Sequence, residues 1–266
     1  MNTLLLQISD PHFGAERKAV CDALRRLVQE QTPRVLLLSG DITQRARPAQ
    51  FAAARAFVDS LRIPQCMTLP GNHDIPLFNA AVRLFAPYSA YRRAFGRSHD
   101  AVLDSDGLRL IGLDSTRRWR HVNGELSPDQ IAATSRHLRE APVGVLRVVA
   151  LHHPVAVTRA AEGHNRVRRH ADAIDRWLQA GADLIVGGHI HLPSVRFLEA
   201  GGRHGWAVLA GTAVSRRTRH DAGNSVNLIR CAQVGLRRVG AVERWDYREE
   251  AKHFELAALS ALPLSG

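Results

Sequence analysis

Side chains of the types that bind metal ions follow five apolar segments of this sequence. The segments, each with these side chains in parentheses, are LLLQISDPH (Asp10, His12), VLLLSGD (Asp41), CMTLPGNHD (Asn72, His73, Asp74), LRVVALHHP (His152, His153) and LIVGGHIH (His189, His191). Each segment has the length and the Leu, Val and Ile content of a buried strand, which predicts that each motif lies on the loop after a strand. Open α/β sheets place their functional sites at this edge. Together the motifs predict a site for two metal ions, of the kind that hydrolyses phosphate esters.

The residue types within the motifs indicate how the ions would be held. Asp41 is the natural carboxylate to bridge two ions, because the glycine before it permits the sharp turn that would aim it. Asp10 and His12 are two residues apart in an extended segment, so their side chains can converge on one ion. His189 and His191 have the same spacing, but in a loop they can reach different ions. Oxygen and nitrogen ligands without a thiolate favour manganese, iron, cobalt or zinc.

The rest of the sequence supplies the strands and helices that would position these loops. Strand and helix patterns alternate through the first half, Asp-Gly at 106–107 predicts a hairpin, and a capping box at 127–130 predicts the start of a helix. Short strands separated by glycines follow His191, and the last twenty residues predict a peripheral helix and a loose tail. We therefore expect an α/β sandwich of two mixed sheets with helices outside. We expect one domain over residues 1–266, in which the tail from about residue 248 lies at the periphery.

An aromatic-rich segment from about residue 78 to residue 95 is predicted to be helical. Its aromatic residues, at near-helical spacing, are Phe78, Phe85, Tyr88, Tyr91 and Phe95. Such spacing favours packing in the core over a surface on which nucleic acid bases stack.

The composition of the chain limits the classes of protein to which it can belong. The 266 residues are 45% hydrophobic, which is enough for one large domain with a substantial core. The start, MNTLLLQISD, indicates a first strand rather than a signal peptide, and no run approaches the roughly 18 apolar residues of a membrane span. Cys21, Cys66 and Cys231 are scattered, have no metal-binding spacing and favour a reducing cytoplasm.

The formal net charge of +11 is compatible with several partners. It could attract nucleic acid, anionic lipid or a phosphorylated substrate, or it could be arginine on solvated faces without a function of its own. The arginines form no single stripe, so nucleic acid is possible but not favoured. Arg117 and Arg118 follow a predicted strand and could line a substrate groove at the same edge as the metal-binding motifs. The oligomeric state is left open.

In their order and their places at strand ends, the DPH, GD, GNHD, HHP and GHIH motifs resemble those of the calcineurin-like metallophosphoesterase superfamily. The resemblance covers roughly residues 3 to 192 and is greatest to the cyclic-nucleotide and glycerophosphodiester phosphodiesterases. It implies a four-layer fold of helices, two sheets and helices. The ligand groups it implies are Asp10, His12 and His191 at one ion, Asn72, His152 and His189 at the other, and Asp41 between them.

The resemblance also implies roles for the neighbouring residues. His73 would lie next to the site as a substrate contact or as the general acid, oriented by Asp74, and Asn72 is a further candidate contact to the substrate. His153 would lie behind the ligands without binding metal. The second motif departs from the family pattern, because many relatives have GDxxD or GDxxE and Gln44 occupies the acidic position here. This departure affects the assignment to a subfamily and leaves the metal ligands as expected.

The expected activity is hydrolysis of a phosphodiester, of the cyclic nucleotide or glycerophosphodiester type, by a hydroxide that the metals activate. The alternatives are hydrolysis of a phosphomonoester and hydrolysis of a pyrophosphate bond in a nucleotide-linked lipid or sugar. A nuclease is less favoured, and a non-catalytic scaffold is less favoured still because every ligand is present. The choice among these activities depends on the loops around the leaving group.

Overall fold

The structure is a computed structural model and describes residues 3–77, 79–96, 101–219, 221–234 and 237–264. The described residues form twelve β-strands and six α-helices. The strands are β1 (Thr3–Ile8), β2 (Val35–Ser39), β3 (Gln65–Leu69), β4 (Ala101–Ser105), β5 (Leu108–Gly112), β6 (Leu146–Ala150), β7 (Leu184–Gly187), β8 (Ser194–Ala200), β9 (Arg203–Leu209), β10 (Ser225–Val234), β11 (Arg237–Arg248) and β12 (His253–Pro263). The helices are α1 (Lys18–Gln31), α2 (Pro48–Leu61), α3 (Ala80–Phe85), α4 (Ser89–Phe95), α5 (Pro128–Arg139) and α6 (His170–Gln179).

The strands form two six-stranded sheets. The first has the order β12-β11-β10-β1-β2-β3 and the second has the order β4-β5-β6-β7-β9-β8. Each sheet is mixed: β1, β2 and β3 are parallel, as are β5, β6, β7 and β9, whereas the remaining pairs are antiparallel. Because the parallel strands are connected through α1, α2, α5 and α6, these helices lie on the sheet faces. The expected pair of mixed sheets is confirmed.

The alternation of side chains along each strand produces the layers. Leu5 of β1 packs between the sheets in one cluster with Val148 of β6. Its neighbour Leu6 points to the opposite face and packs in a cluster with Leu24 of α1. Trp177 of α6 is fully buried in the corresponding cluster on the outer face of the second sheet. The order of layers is therefore helices, sheet, sheet and helices, as the resemblance implies.

Two local signals in the sequence are confirmed. The hydroxyl of Ser127 accepts a hydrogen bond from the Gln130 backbone N–H at 3.1 Å, and the Gln130 side-chain oxygen accepts one from the Ser127 N–H at 3.1 Å. This capping box satisfies backbone donors that the first turn of α5 leaves free. Gly107 has a φ of 74° and turns the chain between the antiparallel strands β4 and β5.

The helix predicted in the last twenty residues is wrong, and so is the loose tail over the described part of this segment. The segment forms β12, which pairs antiparallel with β11 at the edge of the first sheet. Its alanines and leucines favour a helix, but the long β11 offers a continuous row of backbone partners, and this tertiary contact overrides the local preference. Phe254 and Leu262 of β12 are buried. The single domain remains a prediction.

The aromatic-rich segment forms two short helices, α3 and α4, instead of one continuous helix. Tyr91 is fully buried and its ring lies 5.8 Å from that of Phe95, which agrees with the expected core packing. Phe85 departs from this expectation, because it is 82% exposed. Phe78 lies outside the described residues.

Among the described helices, none combines the length and the apolar composition that a crossing of the bilayer requires. Cys21, Cys66 and Cys231 are all free thiols.

Candidate metal centre

The five motifs lie at the carboxyl ends of parallel strands. Asp10 follows β1, Asp41 follows β2 and Asn72 follows β3 in the first sheet, whereas His152 follows β6 and His189 follows β7 in the second. The loops are tied to one another by backbone hydrogen bonds, such as those from the Asp10 N–H to the Gly40 carbonyl and from the Gly188 N–H to the His152 carbonyl. The sequence therefore placed these motifs correctly at one edge of the sandwich.

Four side chains form the first potential metal-binding group. Asp10, His12, Asp41 and His191 each offer a ligand atom, and these atoms lie within 4.8 Å of one another. The His191 Nε2 is 3.2 Å from the Asp10 Oδ1 and 3.3 Å from the His12 Nε2. Lone pairs from separate loops thus converge on one point, which is the arrangement that a bound cation requires.

A second group lies beside the first and shares Asp41 with it. The His152 Nε2 is 3.3 Å from the Asp41 Oδ1 and 3.3 Å from the Asn72 Oδ1. The His189 ring lies 5.1 Å from the His152 ring, measured between centroids. The other carboxylate oxygen of Asp41, Oδ2, is 3.8 Å from the His12 Nε2. Asp41 therefore presents one oxygen to each group.

Two buried polar atoms, one from each group, fit a metal site better than an empty protein interior. Within the described residues, the Asp10 Oδ1 and the His189 Nδ1 are buried without a hydrogen bond of good geometry. A buried polar atom without a partner destabilises the fold, and native proteins have few of them. Since Asp10 Oδ1 and His189 Nδ1 belong to different groups, an ion in each group would supply the missing interaction.

The protonation of the histidines also suits metal binding. Burial lowers the pKa of His12 to about 3 and that of His189 to about 4, because it disfavours the charged imidazolium. Burial acts in the same direction on His152, but the Asp41 carboxylate outweighs it and raises the pKa of His152 to about 9. The pKa of His191 is also raised, since nearby carboxylates overcome its burial. Neutral imidazole is the ligand form, so His12 and His189 are ready to bind, whereas His152 would release a proton on binding.

His153 lies near the second group but its ring nitrogens are already occupied. The Nε2 lies 2.8 Å from the carbonyl of Val122, which can only accept, so this nitrogen carries the proton. The Nδ1 lies 2.8 Å from the hydroxyl of Ser115 and accepts a hydrogen bond from it. Both ring nitrogens thus have hydrogen-bond partners within the protein, although the ring lies with His152 and His189 in a cluster whose ligand atoms are within 4.8 Å of one another.

The structure contradicts the expectation that Asp74 orients His73. The buried Asp74 carboxylate accepts hydrogen bonds from the backbone N–H groups of Ile42, Thr43 and Gly71, at 3.0, 2.8 and 2.9 Å. It therefore joins the loop after β2 to the loop after β3. The error has a physical reason: Asn72–Asp74 forms a turn of 3-10 helix, so adjacent side chains diverge and the carboxylate faces the loop interior.

His73 is held by other residues. Its backbone N–H donates to the Asp41 Oδ1 at 2.8 Å, which places the residue directly beside the shared carboxylate. Its Nδ1 lies 3.0 Å from the Gln44 carbonyl, and its Nε2 lies 3.1 Å from the Nη1 of Arg217. The ring packs edge-on against that of His12, with 4.9 Å between centroids. His73 is thus partly exposed at the mouth of the site, with Arg217 beside it.

Arg217 was missed in the sequence. It belongs to the cluster RRTRH at 216–220, which follows the strand β9 by a short loop, but its charge alone did not distinguish it from other arginines. Its carbonyl accepts a hydrogen bond from the His191 Nδ1 at 2.6 Å. This bond leaves the His191 Nε2 as the nitrogen that faces the first group. The position after a strand that follows the GHIH motif was the only signal available.

The two arginines expected in a substrate groove have other contacts. The Arg117 guanidinium donates to the carbonyls of Asp114 and Thr116 and to the side chain of Gln130, and so joins the loop to the start of α5. Arg118 donates to the Leu84 carbonyl at the end of α3. Their loop does lie beside the site, because it supplies the Ser115 hydroxyl that bonds His153. These contacts give Arg117 and Arg118 structural partners and no contact with the metal-binding groups.

The backbone at the candidate ligands is unusual. The following residues have left-handed φ angles: Asp10 (52°), His12 (42°), Asp41 (49°), His189 (73°) and His191 (58°). Non-glycine residues rarely adopt this region, and such conformations concentrate where function demands them. Gly40 also has a positive φ, of 93°, and a Cβ there would lie 2.4 Å from the His152 Nδ1. The glycine expected before Asp41 is therefore needed for its conformation and for the close approach of the His152 ring.

Comparison with known proteins extends these observations. A protein of Synechococcus sp. named "probable cyclic nucleotide phosphodiesterase" is 29% identical over 166 residues, which cover 58% of this chain and 59% of that protein. A glycerophosphodiester phosphodiesterase of Enterobacter lignolyticus is 26% identical over 165 residues, covering 57% of this chain and 56% of that protein. The chain thus spans less than two thirds of the length of these curated relatives.

A solved structure and a family model agree with these two matches. The crystal structure of a dimetal phosphatase from Danio rerio superposes with a TM-score of 0.68 at 12% identity and covers 99% of both chains, which shows that the fold is shared. The family model for the calcineurin-like phosphoesterases matches residues 3–193. This span is well over half of the chain and includes all five strand-end motifs. The chain therefore belongs to the calcineurin-like phosphoesterase family.

Proposed function

We propose that this chain hydrolyses a small phosphodiester with the help of two metal ions drawn from manganese, iron, zinc and cobalt. The observation that carries the proposal is the position of Asp41, whose two carboxylate oxygens face two different groups of ligands. The first ion would be held by Asp10, His12 and His191. The second would be held by Asn72, His152 and His189, and Asp41 would bridge the two.

The residues of the site would divide the work of hydrolysis. Two ions held in this way, when bound, supply a water activated for attack and neutralise charge on the phosphate oxygens. Asn72 and His73 lie at the partly exposed mouth and would contact the phosphate of the substrate. Since the Gln44 carbonyl can only accept a hydrogen bond, the neutral His73 ring carries its proton on Nδ1. Its Nε2 is then the atom that would carry a further proton to the leaving oxygen.

A phosphodiester is favoured by the relatives. The two curated relatives described above are named as phosphodiesterases, one for cyclic nucleotides and one for glycerophosphodiesters. The partly exposed positions of Asn72 and His73 also leave the mouth of the site open, which accommodates a phosphate with two substituents. Phosphomonoester hydrolysis and hydrolysis of a pyrophosphate bond in a nucleotide-linked lipid or sugar use the same ligands and are the competing activities.

The test compares matched p-nitrophenyl substrates. In the presence of Mn²⁺, we expect bis-p-nitrophenyl phosphate to be hydrolysed with a higher kcat/KM than p-nitrophenyl phosphate. Cyclic AMP, glycerophosphodiesters and UDP-linked lipid precursors would then be compared under the same conditions. A preference for the monoester across Mn²⁺, Co²⁺ and Zn²⁺, or activity confined to a pyrophosphate-linked lipid, would replace the proposal by the corresponding alternative.

A further inference from the structure

The Arg217 guanidinium occupies a specific place at the mouth of the candidate metal centre. Its Nη1 lies 3.1 Å from the His73 Nε2 and 3.5 Å from the side-chain oxygen of Gln44. The same His73 donates its backbone N–H to Asp41 and packs against His12. Arg217 therefore contacts the metal-binding groups only through His73, and its side chain is partly exposed.

The positive charge of Arg217 is not balanced by a carboxylate. Among the residues that the structure describes, no Asp or Glu side chain forms an ion pair with it, and its Nε and Nη2 make no hydrogen bond. Arg219, two residues along the chain, differs in this respect, because it pairs with Glu162 at 3.0 Å. A partly buried guanidinium with unused donors favours an anionic ligand, because charge and hydrogen bonds are then satisfied together.

The backbone of Arg217, and not its side chain, joins the surrounding residues together. Its carbonyl accepts hydrogen bonds from the His191 Nδ1 at 2.6 Å and from the Thr212 hydroxyl at 3.0 Å, and these bonds do not depend on the side chain. The guanidinium is thus available for another purpose. Since Gln44 is neutral, it holds the guanidinium in place at 3.5 Å without cancelling its charge.

We propose that Arg217 forms an anion subsite that binds an oxygen of the substrate phosphate, beside His73 and outside the metal-binding groups. The proposal rests on the proposed phosphoesterase function and adds a residue that contacts the substrate. Arginine suits this purpose because its planar fork can give two parallel hydrogen bonds to a phosphate. Binding would require the Nη1 to leave the His73 Nε2, which frees that nitrogen to carry the proton for the leaving oxygen.

The experiment measures inorganic phosphate binding by isothermal titration calorimetry with the manganese-loaded protein. Arg217→Gln should raise the Kd for phosphate by roughly ten- to a hundredfold, as expected for the loss of hydrogen bonds from a charged group. The Kd of Arg217→Lys should lie between that of Arg217→Gln and that of the unaltered protein, because lysine keeps the charge but loses the planar fork of the guanidinium. Arg216→Gln removes a charge from the exposed neighbour and is the matched control, with a Kd close to that of the unaltered protein.

Gln44→Glu tests the charge without removing Arg217. A carboxylate at this position would form an ion pair with the guanidinium and repel phosphate, while the Gln44 backbone carbonyl still holds His73. The Kd for phosphate should therefore rise, and metal content should stay at that of the unaltered protein. Circular dichroism and metal analysis of each variant confirm that fold and metal loading are retained.

The outcomes separate the subsite from the proposed function. Equal phosphate affinity in Arg217→Gln and Arg216→Gln, at equal metal content, would overturn the subsite even if the protein hydrolyses diesters. Conversely, weaker phosphate binding only in the Arg217 and Gln44 variants would support the subsite even if no diester is hydrolysed. In a hydrolytically active protein, Arg217→Gln should also raise the KM for anionic substrates more than it lowers kcat.

Discussion

At the scale of single residues, Asp41 is the side chain that lies between the two candidate metal-binding groups. Its carboxylate is buried, faces His152 with one oxygen and His12 with the other, and also accepts the backbone N–H of His73. Its two oxygens thus lie within 4 Å of one histidine from each group. Its loss would therefore affect both ions, whereas the loss of a histidine would affect one.

Asp41→Ala is accordingly expected to abolish the binding of two ions per chain and to reduce kcat by several orders of magnitude. The reason is that catalysis through a metal pair requires a bridging anion to hold the ions together. Metal analysis by mass spectrometry and steady-state kinetics measure the two effects. Asp59→Ala, which removes an exposed carboxylate from α2, is the control and should retain both ions. Two ions and full activity in Asp41→Ala would show that Asp41 has only a structural role.

Residue types and their spacing predicted the place of the five motifs, because each motif follows an apolar strand and strand ends converge at one edge. They could not predict the contacts of Asp74, since these depend on the turn that follows Gly71. They also could not identify Arg217, whose significance comes from tertiary contacts with His73 and Gln44. A pattern within one segment predicts local geometry, but it contains little information on which distant side chains meet.

At the scale of elements, the loop from β2 to Asp41 shows how backbone geometry controls the site. Gly40 has a left-handed backbone and lies so close to His152 that a side chain would collide with its ring. The hydrogen bond from the Asp10 N–H to the Gly40 carbonyl fixes the same loop from the other side. By contrast, the sequence failed for β12, where the partner strand β11 outweighs the helical preference of the segment.

Gly40→Ala is therefore expected to lower the free energy of unfolding by about 1–3 kcal/mol, through the strained φ and the contact with His152. It should also weaken metal binding, because the His152 ring must move. Urea denaturation and a metal-binding titration measure the two effects. Gly223→Ala is the matched control, since a Cβ there meets nothing within 4 Å. Equal losses of stability and affinity in the two variants would contradict the argument.

At the scale of the whole molecule, the metal-binding groups join the two sheets. Asp10 and His12, which follow β1 of the first sheet, would share an ion with His191, which lies between β7 and β8 of the second sheet. Asn72 of the first sheet would share the other ion with His152 of the second. Each ion would thus connect loops from both sheets, so metal binding should stabilise the packing of one sheet on the other.

Removal of the metals with a chelator should consequently lower the thermal unfolding temperature. A ligand that binds only the folded state, at a concentration of about 100 times its Kd, stabilises that state by about 2.7 kcal/mol for each site. Differential scanning calorimetry with and without added Mn²⁺ measures the change. The Asp41→Ala variant should show a much smaller response to Mn²⁺. An unfolding temperature that does not depend on metal in the unaltered protein would mean that the ions do not join the sheets.

The left-handed backbone at Asp10, His12, Asp41, His189 and His191 has a consequence for directed evolution. Each such conformation costs about 1 kcal/mol or more in a non-glycine residue, and glycine relieves this cost. A library selected for heat resistance alone, without metal, would therefore enrich glycine first at His12 and His189, whose buried Nδ1 atoms lack hydrogen-bond partners, because Asp10 and Asp41 accept backbone N–H groups. The enriched proteins would be more stable and would have lost the side chains that bind metal. Selection for robustness in this protein must include a functional readout in every round.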